Sequence, residues 1–360
     1  MLKPIAAARR HPWPAAAILG AVLLLGGSLA WALPPGSGVH APEGRPAPTP
    51  DAAVDPSSAW KVPLHDALDR GLAAADAEGG TTQAGIWVDT WATPIVLGND
   101  LGAGRLWSLS KPVTAIAALE IANAQGGPTP VMTSAMRDAI TRSDNCAQRQ
   151  VVLELQRLAG IDGARTSFDG VLQRAGVTLS TKAQSAGIAS EPDCRPYVAR
   201  NHLEVPDPGG TVLQFGTGTW TLHDAVQFAH GLAGGTYGRA GETVLELMRQ
   251  PKERVSGSSP TDYTAALDEP PSGGTFPKEW GPAYKGGWGG HSLSPPNFRA
   301  AQIVVLDVGS HRVALVAIFR PGVQPPSDDP GATRAPQALK ALSASVEHTL
   351  SDLERAPPRP

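Results

Sequence analysis

The first apolar feature of the chain is Ala15 to Ala30, a run without a single charge. Lys3, Arg9 and Arg10 precede it, and Ala30-Trp31-Ala32 follows with small residues at the two positions a signal peptidase reads. This is the layout of a signal peptide ending near residue 32. The run is also close to the lower limit for a membrane span, so an uncleaved anchor is the other reading. Either one implies an exported protein, secreted or held at the outer face of the cytoplasmic membrane. No cysteine follows the run, which argues against a lipid-modified N-terminus. Residues 33–58 read PPGSG, APEGRPAPTP and DAAVDPSS, a Pro-rich linker that cannot bury a core.

Periodic patterning fills residues 59–355 and predicts one folded domain, with 356–360 a disordered tail. Val62 to Ala77 predicts an amphipathic helix with Leu64, Leu68 and Leu72 on one face. Ala84 to Asp89 and Thr93 to Leu97 read as two short strands. Ser108 to Ala124 reads as a helix, with Pro112 tolerable only in its first turn. Asn145 to Leu158, Ser167 to Ala175, Leu222 to Leu232 and Gly241 to Arg249 are further helices. Val177 to Thr217 is rich in Gly and Pro and weakly periodic, a length that inside a compact domain points to function or to partial disorder. Pro282 to Gly287, Ala300 to Leu306 and Val313 to Phe319 read as strands, with Gly309-Ser310 as hairpin-turn chemistry. Ala335 to Leu353 closes the domain as a helix. The order predicts an α+β architecture: an antiparallel sheet assembled from both chain ends, with a helical block inserted.

Composition narrows the class. Hydrophobic residues make up 41% and charged residues 18%, as in a globular protein, and the net charge of −3 gives no pull toward nucleic acid. Cys146 and Cys194 are the only cysteines. In an oxidising compartment they form a disulfide candidate, the alternative being two separate buried thiols. Closing that loop of about fifty residues would stabilise by about 4 kcal/mol in the chain-entropy model. Neither C-x-x-C nor Cys/His metal spacing occurs, so no metal or cofactor is expected.

Three short motifs carry the chemistry: Ser108-Leu109-Ser110-Lys111, Ser143-Asp144-Asn145 and Lys285-Gly286-Gly287. The first places a hydroxyl and an amine three residues apart at a helix start, on one face. A serine hydroxyl is a poor nucleophile until a base takes its proton, and an amine held neutral can do so. Each motif also has a plain structural reading. Ser143-Asp144-Asn145 reads equally as a helix cap, and Lys285-Gly286-Gly287 as a turn into a strand. Ser58-Ala59-Trp60-Lys61 matches S-x-x-K too, but at a linker's end with no strands before it. KGGWGG lacks the Lys-Ser/Thr ending of a phosphate loop, and no G-x-S-x-G elbow supports a Ser-His-Asp hydrolase.

In this order, S-x-x-K, S-D-N and K-x-G resemble the signature set of the serine β-lactamases and penicillin-binding proteins, and most closely the class A β-lactamase-like branch. The resemblance implies a five-stranded antiparallel sheet flanked by helices, an inserted all-helical subdomain and a site in the cleft between them. It implies Ser108 as nucleophile, Lys111 as its activating partner, Ser143 as the proton donor to the leaving nitrogen and Lys285 as a positive charge near Ser143. Asn145 would bind the substrate amide, Asp144 would hold the loop, and the backbone N–H groups of Ser108 and Trp288, the latter just after Gly287, would form the oxyanion hole. The partner is then a small-molecule or peptide amide, and a monomer is expected.

Two departures from the family pattern bear on activity. Gly286 stands where the family carries Thr or Ser, a hydroxyl that helps bind a substrate carboxylate. Losing such a charge-assisted hydrogen bond, worth about 1.5–3 kcal/mol, predicts roughly ten- to a hundred-fold weaker recognition of penicillin-like substrates. No E-x-x-L-N occurs, the expected region near Ser180 to Ala186 holds no carboxylate, and Glu191 is the candidate deacylation base. The leading reading is an active acyl-enzyme former on an envelope amide. The alternative is a catalytically silent member whose cleft binds a ligand or partner.

Overall fold

The computed structural model describes residues 59–177, 194–201, 212–250, 276–290, 296–326 and 333–356. The expected leader, linker and tail lie outside the described residues, as do Glu191 and Ser180 to Ala186. In chain order the elements are helix α1 (Lys61–Asp76) and strands β1 (Gly80–Val88), β2 (Ile95–Gly98) and β3 (Gly104–Arg105). Helices α2 (Ser110–Ala124), α3 (Pro130–Thr141), α4 (Asn145–Arg174) and α5 (Arg195–Arg200) follow, then β4 (Thr219–Trp220), α6 (Leu222–Ala233) and α7 (Gly238–Arg249). Strands β5 (Ala283–Gly289), β6 (Arg299–Val308) and β7 (His311–Pro321) and helix α8 (Ala335–Arg355) complete the described chain.

The main sheet has five antiparallel strands in the order β2-β1-β7-β6-β5. Its first two strands come from the start of the domain and its last three from the end, as the element order predicts. Val308 pairs with His311 across a tight turn, where Gly309 has φ 58 and supplies the positive dihedral that hairpin turns need.

Side chains alternate between two faces. Ala84, Ile86, Val304, Leu306, Leu315 and Phe319 meet Leu64 and Leu68 of α1 and Leu339, Leu342 and Val346 of α8. On the other face Ala301, Ile303, Val305, Ala314 and Val316 join Val113, Ile116 and Phe228 of the helical block. Helix α2 runs through the middle of that block. Ser110 to Leu119 are all buried, which is what a helix of small apolar residues without a polar face does.

Differences from the sequence reading have local causes. Helix α3 was absent from it, although Thr129 caps the helix by accepting from the Met132 N–H (3.1 Å) with Pro130 in the first turn. The two expected helices between Asn145 and Ala175 are one run, α4, broken in dihedral only at Gly160 (φ 72, ψ 172). The helix expected from Ser108 begins at Ser110, because Trp107 to Leu109 form a 3₁₀ turn. A two-residue ladder of β3 with β4 was also not foreseen.

Close helix packing yields a test in which propensity and space oppose each other. Alanine is favoured over glycine in a helix by about 1 kcal/mol. A Cβ on Gly71 of α1, however, would lie 3.1 Å from the Leu342 Cα and carbonyl oxygen, and a neighbouring backbone cannot move aside alone. At Gly170 in α4 nothing lies within 4 Å of that position. In urea unfolding, Gly71→Ala should lower stability and Gly170→Ala should raise it by about 1 kcal/mol. Equal shifts of the same sign would show that α1 and α8 are not in close contact.

Candidate active site

The site is built where edge strand β5 meets the 3₁₀ turn at the head of α2. Trp107 has φ 47, a left-handed conformation that a bulky residue rarely adopts and that costs about 1–3 kcal/mol. The turn is closed by the Leu109 N–H donating to the Leu106 carbonyl (2.9 Å) and by Ser110 Oγ donating to the Trp107 carbonyl (2.7 Å). Ser108 is therefore presented half-buried on a constrained corner rather than within the α-helix proper. One turn on, the Lys111 amine reaches back and donates to Ser108 Oγ at 3.0 Å.

The second segment enters between α3 and α4. Ser143 also has a left-handed backbone, φ 52. The residues beside it hang from one carbonyl: the Arg142 and Asp144 N–H groups both donate to the Asp138 oxygen, at 3.1 and 3.3 Å. The Asp144 carboxylate caps α4, accepting from the Cys146 N–H (2.7 Å) and the Ala147 N–H (2.9 Å). The cap reading of this motif and the site reading are thus both met, by different residues of the three.

The third segment is β5. The Lys285 amine donates to Ser143 Oγ at 2.9 Å and to the Gly286 carbonyl at 2.8 Å. From the opposite side the Lys111 amine donates to the Ser143 carbonyl, to Ser143 Oγ (3.3 Å) and to Asn145 Oδ1 (2.8 Å). Lys111, Ser143 and Lys285 are 2%, 6% and 0% exposed, so these contacts lie out of water, where hydrogen bonds weigh more. Ser108 Oγ, Lys111 Nζ, Ser143 Oγ and Lys285 Nζ form one unbroken hydrogen-bonded chain. Asn145 stands at its exposed mouth.

Glycine lets β5 come this close. A Cβ on Gly287 would lie 3.0 Å from the Leu109 nitrogen and 3.2 Å from the Leu106 carbonyl oxygen. One on Gly289 would lie 2.6 Å from the Trp107 ring. The Trp288 ring packs instead on the face covered by α1 and α8.

All seven residues singled out from the sequence (Ser108, Lys111, Ser143, Asn145, Lys285, Gly287 and Trp288) therefore fall on the three segments that converge. Trp107 and Gly289 were not foreseen, and only the Gly-rich run around Trp288 hints at a close approach. Lys61 of the other S-x-x-K match lies over the Trp91 ring, 5.3 Å from its centroid. Cys146 and Cys194 are joined in a disulfide. Among the described residues no cluster of His, Cys, Asp and Glu is placed to hold a metal ion.

No family model matches the sequence, and no curated protein matches it. Solved structures do match in shape. A β-lactamase from Xanthomonas campestris superposes with a TM-score of 0.50 at 16% identity, covering 79% of this chain and 98% of its own. A class A β-lactamase from Mycobacterium abscessus gives 0.50 at 13% identity, covering 79% and 99%. The chain has the β-lactamase-like fold: a five-stranded antiparallel sheet with helices on both faces.

The contact of Gly287 with the turn can be tested directly. Gly287→Ala must push β5 away from Leu109. We expect Ser108 to react roughly severalfold more slowly with an acylating reagent, since even a shift of a few tenths of an ångström misaligns a reacting centre. Unchanged reactivity in the folded variant would detach β5 from the site.

Proposed function

We propose that this is an exported serine acyltransferase or hydrolase that forms an acyl-enzyme on an amide, such as a β-lactam or a peptidoglycan peptide. The observation that carries the reading is the unbroken chain from Ser108 through Lys111 and Ser143 to Lys285. Ser108 Oγ attacks the amide carbonyl as its proton passes to the Lys111 amine. The oxyanion is held by the N–H groups of Ser108 and Trp288, on segments that Gly287 brings into contact. The C–N bond then breaks, and the leaving nitrogen takes a proton from Ser143 Oγ, which Lys111 resupplies. Lys285 keeps positive charge beside Ser143 and orients a substrate carboxylate.

Export rests on the N-terminal apolar run and on the disulfide, which belongs to an oxidising compartment. Among the described residues no helix is long and apolar enough to cross a membrane. Hydrolysis needs a base for water in addition. Glu191 is one candidate. Glu204 and Asp207 are others, on the sequence leading into the Phe215–Thr217 turn, where Gly216 sits against the Trp107 carbonyl. A second reading, a silent ligand-binding protein, is favoured by Gly286, whose missing hydroxyl weakens carboxylate recognition, and by the absence of an E-x-x-L-N motif.

Intact-mass labelling with a fluorescent penicillin tests the acylation half. An adduct should form on the protein and be absent in Ser108→Ala. Lys111→Ala should label at least about a hundredfold more slowly, the usual scale for losing a general base, and Gly286→Thr about tenfold faster. An adduct that persists marks a penicillin-binding type. Decay with hydrolysed product marks a β-lactamase, with Glu191→Gln and Glu204→Gln locating the base. No adduct in either the parent or Gly286→Thr would remove the β-lactam reading and move the ligand-binding and non-lactam hydrolase readings ahead.

A further inference from the structure

Ser143 is asked for three hydrogen bonds by two lysines while holding a backbone conformation that non-glycine residues avoid. Against the same corner packs α5, only six residues long and too short to persist alone. Two ties fasten α5 there. Cys194, its N-cap, is bonded to Cys146, which directly follows Asn145. Tyr197 is buried against Ala139, Ala147 and Cys146, with its hydroxyl 3.5 Å from Asp138 Oδ2. Asp138 is the residue whose carbonyl carries the N–H groups on both sides of Ser143. Its carboxylate also pairs with Arg142 at 3.7 Å.

We infer that the Cys146–Cys194 disulfide and Tyr197 form a brace that positions Ser143, so that the acylation step depends on the redox state of this pair. The mechanism rests on the acyl-enzyme reading. Ala139, Ala147 and Tyr197 form a cluster of their own, separate from the two cores that sandwich the sheet. Loosening it therefore releases the Arg142–Asp144 corner while leaving the sheet and its helices packed, as sub-global opening does elsewhere. Cys146 is half-buried and Cys194 is buried, so a small thiol reductant approaches the bond from the Cys146 side.

The test compares the full chain before and after treatment with dithiothreitol. The disulfide takes two electrons and two protons to become two thiols, and the reagent closes to its cyclic disulfide. In saturation kinetics with a fluorescent penicillin, the maximal labelling rate should fall about tenfold or more on reduction, with the half-saturating concentration nearly unchanged. Cys146→Ser/Cys194→Ser should match the reduced protein, and Tyr197→Ala in the oxidised protein should fall in the same direction. Amide hydrogen exchange supplies a readout independent of penicillin: peptides covering 138–147 should exchange about tenfold faster after reduction, and those of β6 and β7 should not. Equal exchange across 138–147 in both states overturns the brace whatever the chemistry. Unfolding of the whole chain on reduction also overturns it, because the bond would then be a general staple. If exchange rises but labelling is absent even when oxidised, the brace stands and the acyl-enzyme reading falls. If both proteins label at one rate, Ser143's position does not govern acylation and the inference fails.

Discussion

The hydroxyl of Ser143 is reached by two lysines from different layers of the molecule, and the site exists only while that meeting holds. Lys111 arrives from α2, the helix with no solvent face, and Lys285 from the open edge of the sheet. Burying two such side chains is expensive unless their hydrogen bonds are satisfied, and here they are offered carbonyl, hydroxyl and amide oxygens. The polar knot is supported by apolar packing on both sides of the sheet. Without that surplus of burial, the knot would be opened by water.

The same constraint explains why glycine crowds β5. Glycine weakens a strand and has no side chain to pack, yet Gly287 and Gly289 both stand where a methyl group would collide, with the Leu109 backbone and with the Trp107 ring. The stability lost in the strand is exchanged for a sheet edge lying directly against the turn that carries Ser108. Left-handed backbone at Trp107 and Ser143 is a second expense of the same kind. Strain concentrated beside reactive groups and offset elsewhere is a usual trade between stability and activity.

Much of this architecture is legible in the residues because its signals are local. Leu64, Leu68 and Leu72 share a helix face, Gly309-Ser310 is a turn between two apolar runs, and Ser108 and Lys111 meet within one turn. What escaped was either unpatterned or distant. Helix α3 has a readable cap at Thr129 but follows Gly126-Gly127 and so looks like loop. The 3₁₀ turn at Trp107 is set by packing against Gly289 and Gly216 rather than by its own composition. The contact of Lys285 with Ser143 spans 142 residues, and nothing in either tripeptide encodes the other. Only the resemblance of the ordered motifs to a family brought the two together in advance.

Fold and motif together still divide the chemistry unevenly. The proposed acylation needs a nucleophile, a proton acceptor, an oxyanion site and a route to the leaving nitrogen, and the hydrogen-bonded chain of Ser108, Lys111, Ser143 and Lys285 suits the first two and the last. Deacylation needs one more group, a base beside the ester that can orient water. The turn at Phe215–Thr217 abuts the carbonyl that precedes Ser108. Enzymes that share a fold can differ by this one group, and its presence separates an acyl-enzyme that lasts from one that turns over. For a fold of this kind, the physical distinction between an acyl-enzyme that lasts and one that turns over thus reduces to a single group able to orient water at the ester.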